Sequence, residues 1–202
     1  MHNITTIVFD LGRVLVRIDT SGERFGRLMR AMNIPPEQAF DKYWHAREVQ
    51  QLMTGELSAA DFHRIACERF DLDIAFDDFA ACWSDLFHPM PGMRELFLRL
   101  SERYRVGILS DTDPLHWAAI RDMMPWLDAV GTPTLSYEVG FLKPHPNMFS
   151  AAAANAGCEK EQCLFIDDLI DNVDGARYFG MPALLFHDAR RLEKDLTGVG
   201  LL

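Results

Sequence analysis

Short apolar runs recur along the chain: "TTIVFD" near the start, then "RVGILSD", "AVGTPTLS", "CLFIDD" and "PALLFHD". Each is a few residues long, rich in β-branched or large aliphatic side chains and bounded by turn residues, as a buried strand is. Between the later runs the apolar positions switch to helical spacing. Met93, Leu96, Phe97 and Leu100 follow i, i+3, i+4, i+7 directly behind Pro91-Gly92, so a helix leads into "RVGILSD". "NMFSAAAANAG" stops at Gly157, and "IDNVDGARYFGMP" stops at Gly180 with Pro182 beyond, endings that suit a left-handed helix terminus. Strands alternating with helices predict an α/β fold of three layers, a parallel sheet covered on both faces.

From residue 17 to residue 88 the alternation stops. Phe25, Leu28, Met29 and Met32, then Phe62, Ile65, Ala66 and Phe70, then Phe76, Phe79, Ala80, Trp83 and Phe87 all lie at helical spacing. Four helices are predicted, with "NIPP", "TGELS" and "LDI" as the breaks. Ser58 reads as an N-cap, with Asp61 in the first turn where the helix dipole favours negative charge. The chain is therefore expected to hold a discontinuous α/β domain, residues 1–16 and 89–202, and an all-helical insert, residues 17–88. Trp83, Trp117 and Trp126 read as core packing, Met123-Met124-Pro125 as a helix end and turn, and "TGVGLL" as a mobile C-terminus.

Composition narrows the function classes. With 49% hydrophobic and 25% charged residues in 202, the chain can bury a sizeable core, and no apolar run approaches the roughly 18 residues that span a bilayer. The start "MHNITTIVFD" has no basic segment and runs straight into a strand, so a cytoplasmic protein without a signal peptide is expected. Cys67, Cys82, Cys158 and Cys163 form no CxxC pair and are expected to be buried free thiols. A net charge of −10 argues against nucleic acid or an anionic membrane as partner. An anionic ligand would have to be attracted locally.

Candidate chemistry sits where the strands end. In an open α/β sheet, ligands bind beyond the carboxyl ends of the strands. The first strand ends at Asp10, the second at Ser110 and Asp111, and "CLFI" at Asp167 and Asp168, while Lys143 lies in the loop "VGFLKPHP" after the third. Carboxylates brought within about 4 Å repel by roughly 4 kcal/mol per pair at an effective dielectric near 20, and one lysine cannot neutralise three of them. A cation is called for, and an all-oxygen donor set with room for water and phosphate suits Mg²⁺.

These pieces resemble the haloacid dehalogenase (HAD) superfamily, in particular its phosphatases with a helical cap inserted after the first strand. "FDLGRVL" matches the nucleophile motif, "ILSD" the second motif, "GFLKPHPNMF" the lysine motif and "FIDDLIDN" the acidic motif; "MPGMRELFLRL" resembles the helix that leads back from the cap. The "DLG" form with "SDTDPLH" later is similar to bacterial sugar-phosphate phosphatases. The resemblance implies a Rossmann-like core, a small phosphorylated metabolite as partner, a monomer or homodimer, and phosphoryl transfer in two steps through an aspartyl phosphate on Asp10. It further implies that Mg²⁺ is held by Asp10, the carbonyl of Gly12 and Asp168, with Asp167 acting directly or through water. Ser110 and backbone N–H groups around Asp111 would hold phosphoryl oxygens, Lys143 would balance developing charge, and Asn172 or Asp171 would orient Lys143.

The chain departs from the family at Gly12, where a second aspartate usually protonates the leaving group. General acid–base help is worth about 10²–10⁴-fold. Three readings therefore stand side by side: a phosphatase whose leaving group needs little protonation or that recruits another acid such as His116, a weakly active phosphate- or metal-binding protein acting through partners, and a metal-independent haloacid dehalogenase. In the insert, Tyr43, Trp44, His45, Arg47 and Gln50 are candidates for reading the non-phosphate part of a substrate.

Overall fold

The computed structural model describes residues 3–39 and 45–202. Seven strands occur among them: β1 (Thr6–Phe9), β2 (Val16–Ile18), β3 (Phe87–Pro89), β4 (Arg105–Ser110), β5 (Thr134–Leu135), β6 (Cys163–Asp167) and β7 (Ala183–Leu185). Five form one sheet in the order β5-β4-β1-β6-β7, every pairing in it parallel. Side chains alternate across this sheet as the pleat requires. Ile7, Phe9, Ile108, Leu164 and Ile166 pack on one face with α5 (Met93–Ser101) and α10 (Ala189–Gly198). Val8, Leu109, Cys163 and Phe165 pack on the other with α8 (Pro146–Ala156) and α9 (Ile170–Phe179). Both faces are buried, which is why the strands read as unbroken apolar runs.

β5 is shorter than "AVGTPTLS" suggests. It pairs with β4 only at Leu109↔Thr134 and Ser110↔Leu135, because Pro133 just before it has no N–H to offer a ladder. The C-terminus is also corrected: α10 runs through Thr197 and Gly198, and Leu201 is buried in the main core with its N–H donating to the Leu196 carbonyl at 2.9 Å. All four cysteines are free thiols as expected, but only Cys163 is fully buried; the other three are partly exposed.

The insert holds α1 (Glu23–Ala31), α2 (Arg47–Met53), α3 (Ala59–Phe70) and α4 (Phe76–Trp83), packed around a cluster of their own that includes Phe25, Met29, Leu52, Phe62, Phe79 and Trp83. Ser58 caps α3 by accepting from the Asp61 N–H at 3.1 Å. The insert is not all-helical at its ends. β2 and β3 pair antiparallel, Val16↔Pro89 to Ile18↔Phe87, and tie its two connections to the sheet into one ribbon. Their mixed and mostly part-exposed residues, VRI and FHP, form no apolar run, so the pattern of the chain does not announce them. Gly55 brings the insert against the sheet domain: it stands at φ +72°, and a Cβ there would lie 2.2 Å from the carbonyl oxygen of Tyr137 in α7 (Ser136–Val139). Only glycine fits both demands.

Candidate active site

Parallel register places the key carboxylates side by side. Phe9 is level with Ile166 on β6 and with Ile108 on β4, so the next residue of each strand brings Asp10 beside Asp167, with Ser110 and Asp111 one and two residues further along β4. Asp10, Asp167 and Asp168 each offer an oxygen within 4.8 Å of the others. Asp10 and Asp167 are buried.

Lys143 reaches into this cluster from the loop after α7. Its Nζ donates to Asp10 Oδ1 at 2.5 Å, Asp167 Oδ2 at 2.9 Å and the Leu109 carbonyl at 3.3 Å, which uses all three donors of an ammonium. Two contacts hold the loop. The Lys143 N–H donates to Asp111 Oδ1 at 2.9 Å, and Pro144 packs against Gly175 of α9 so closely that a Cβ at 175 would lie 2.5 Å from Pro144 Cβ. Asp111 therefore positions the lysine loop.

Asn172 is buried and donates from Nδ2 to both oxygens of Asp167, 3.1 Å each, while the Leu169 N–H donates to Asp167 Oδ1 at 2.8 Å. The expectation that Asn172 or Asp171 orients Lys143 is thus amended. Asn172 acts on Asp167, which in turn holds the lysine, and Asp171 is exposed in the first turn of α9.

Burial pushes the Asp10 carboxyl up to about 8 against the pull of Lys143, with Asp167 and Asp111 adding to the push. Asp111 and Asp168 are likewise raised by burial, Asp168 also by Asp167. Burial opposes charge on Lys143, but Asp10, Asp167 and Asp111 outweigh it and raise its pKa. One ammonium thus leaves the carboxylates undercompensated, and their oxygen donors fit a small divalent cation.

Over Asp10 opens a cavity of about 140 Å³ lined among others by Gly12, Arg13, Ile18, Phe87, Ser110 and Leu169. A larger one, about 390 Å³, lies where β1 and β4 begin. Its polar lining is internally engaged, Arg105 with the Ala156 carbonyl and Asn155 with Thr134, and it holds no acidic cluster, so the chemistry belongs to the smaller one.

His116, a candidate acid, is built into a seam. It is 1% exposed; Nδ1 lies 2.7 Å from Asp113 Oδ2, Nε2 lies 3.2 Å from the Trp83 carbonyl, and the ring stacks on Trp83 at 5.3 Å between centroids. Asp113 caps α6 (Pro114–Met123), accepting from the N–H groups of Leu115 and His116, and also accepts from Trp83 Nε1 at 3.3 Å. These bonds join the sheet domain to the insert, and His116 also lines the cavity over Asp10. His45 and Arg47 are exposed and do not line the cavity over Asp10; Tyr43 and Trp44 lie outside the described residues. Sequence reasoning missed Arg13, Ile18 and Phe87 at the mouth, although Arg13 follows the nucleophile so closely that its place in the chain is itself a signal.

A family model described as haloacid dehalogenase-like hydrolase matches residues 4–180. The chain is 27% identical over 204 residues to D-ribitol-5-phosphate phosphatase of Bacteroides thetaiotaomicron, covering 96% of this chain and 97% of that one. A solved HAD-family enzyme from Bacteroides thetaiotaomicron, in complex with magnesium and inorganic phosphate, superposes with a TM-score of 0.78 at 26% identity, over 92% of this chain and 95% of that one. A HAD-like family hydrolase from Porphyromonas gingivalis shares the fold at a TM-score of 0.80 and 20% identity, covering 98% of each chain. With the family pattern running from residue 4 to residue 180, and the fold shared with solved HAD-family enzymes, this chain belongs to the haloacid dehalogenase-like hydrolases.

Proposed function

We propose that the chain is a Mg²⁺-dependent phosphatase of small phosphate monoesters, polyol and sugar phosphates among them, working through an aspartyl phosphate on Asp10. The observation that carries the reading is Asp10 itself, held by Lys143 at the end of β1 beside Asp167 and Asp168. Such a carboxylate, buried and paired with a lysine, can serve as a nucleophile as well as a metal ligand. That one relative is named for ribitol 5-phosphate supports a small phosphorylated metabolite as the substrate class.

The Asp10 carboxylate would attack phosphorus, and the bond to the ester oxygen would break with its electron pair leaving on that oxygen, which takes up a proton from water. Water would then hydrolyse the aspartyl phosphate and free Asp10. Lys143 offsets negative charge on nucleophile and phosphoryl group, and Asn172 keeps Asp167 aligned to hold it. Ser110 and the backbone N–H groups after β4 would bind phosphoryl oxygens. A Mg²⁺ held by Asp10, Asp168 and the Gly12 carbonyl would screen the repulsion between carboxylates and phosphate oxygens. The insert, bridged to the sheet domain by Trp83, His116 and Asp113, would serve as a cap that excludes water.

The test is colour release from p-nitrophenyl phosphate. Turnover with Mg²⁺, lost on adding EDTA and lost in Asp10→Asn, supports the reading. Tight phosphate binding without turnover would favour a binding protein instead, and halide release from 2-haloacids that survives EDTA would favour a dehalogenase.

A further inference from the structure

Arg13 stands three residues after the nucleophile at φ +58°, in the left-handed region that side chains other than Asn and Asp seldom adopt. The other non-glycine residues found there, among those described, are Asn33 and Asp71. The loop is tightly made: the Leu11 carbonyl accepts from the N–H groups of Val14 at 3.2 Å, Leu15 at 2.8 Å and Val16 at 2.9 Å, and the Arg13 N–H donates to the Val16 carbonyl at 2.6 Å. Glycine would hold this turn without strain, so the backbone gives no reason for an arginine. Strain of this kind, beside a reactive group, points to a use for the side chain.

The guanidinium lies 3.8 Å from Asp168, half exposed, and lines the cavity over Asp10 together with Ile18, Phe87 and Leu169. Lys143, the other lysine or arginine of that lining, is 3% exposed and has its donors committed to Asp10, Asp167 and Leu109. The inner end of the cavity thus serves the phosphoryl group, whereas the mouth offers a leaving group an apolar wall and one guanidinium. The Asp168 pair is long and partly exposed, of a kind that exchanges readily. A planar fork of donors matches carboxylate or phosphate oxygens in pairs.

We propose that Arg13 is a specificity-determining residue that binds a second anionic group on the leaving-group part of the ester, so that the preferred substrates are small phosphate monoesters carrying a further carboxylate or phosphate. This inference rests on the phosphatase reading of Asp10.

Two matched pairs test it: 3-phosphoglycerate against glycerol 3-phosphate for a carboxylate, and fructose 1,6-bisphosphate against fructose 6-phosphate for a second phosphate. The wild type should favour the anionic member of at least one pair by about tenfold or more in kcat/KM. Arg13→Gly, which suits the left-handed backbone and so keeps the fold, should bring that ratio close to one, chiefly through KM. Arg13→Lys should restore part of it. Absence of a preference in both pairs, or a preference that Arg13→Gly leaves intact, overturns the proposal, as does an equal loss on both members. Hydrolysis of p-nitrophenyl phosphate separates the two failures: with that activity present and no charge preference, only the role of Arg13 falls, and with no activity on any ester the phosphatase reading falls first.

Discussion

Gly12 leaves room beside the nucleophile. A Cβ at this position would meet Ile18 Cδ1 at 3.7 Å and Asp10 Oδ2 at 3.8 Å, both ordinary contacts. Gly12→Asp is therefore sterically admissible, and a carboxyl so close to Asp10 would be held protonated by its neighbour, as a general acid must be. The variant should raise kcat on alkyl phosphates, whose leaving oxygen needs a proton, by about 10²-fold or more. On p-nitrophenyl phosphate, whose leaving group departs as the anion, the gain should be small. No gain on alkyl phosphates would mean that the wild type already has an acid elsewhere.

Two helices hold the loops that carry the site. α9 approaches the lysine loop through Gly175, and Gly175→Ala would drive a methyl into Pro144. Alanine is the better helix former by about 1 kcal/mol, but overpacking costs about 1–3 kcal/mol and the loop that moves is the one bearing Lys143. We expect kcat to drop at least tenfold with a modest loss of thermal stability; a variant that gains stability and keeps full activity would contradict this account. α6 is capped by Asp113, which is fully buried. Burial opposes its charge, yet His116 and the hydrogen bonds from His116 and Trp83 outweigh it and hold its pKa below the ordinary 3.8. A depressed carboxyl contributes stability that is complete above its unfolded value and is lost as the pH falls through its folded value. Asp113→Asn should therefore cost about 1.5–3 kcal/mol at pH 7, the worth of hydrogen bonds to a charged acceptor, and flatten the fall in stability below pH about 4, as urea unfolding across that range would reveal.

Taken whole, the molecule carries a charge of −10 yet is read as binding a phosphate, so the attraction must be local. Under the proposed function, Lys143, Arg13 and a cation would supply it at the mouth of the sheet. Because the cation relieves repulsion that the folded state alone concentrates, Mg²⁺ at a hundredfold excess over its Kd should stabilise the protein by about 2.7 kcal/mol, a rise in Tm of about 5–10 °C for a chain this long. EDTA should reverse it. A melting curve indifferent to Mg²⁺ would remove the metal from the proposal. No helix among the described residues is long and apolar enough to cross a membrane.

Periodicity by itself determined the alternating strands and helices, the helical insert, and the polar residues at the strand ends, because burial on one or both faces leaves its imprint on neighbouring positions. It named Asp10, Lys143, Asp167 and Asp168 as partners without their contacts. Only the tertiary structure decided those: Lys143 meets Asp10 across 133 positions, Asn172 grips Asp167 and not the lysine, His116 turns into the seam with Trp83, and Leu201 docks in the core. The ribbon of β2 and β3 and the left-handed turn at Arg13 belong with them. Such features depend on which side chains packing brings together and on dihedral angles set by hydrogen bonds across a turn, and neither leaves a period along the chain.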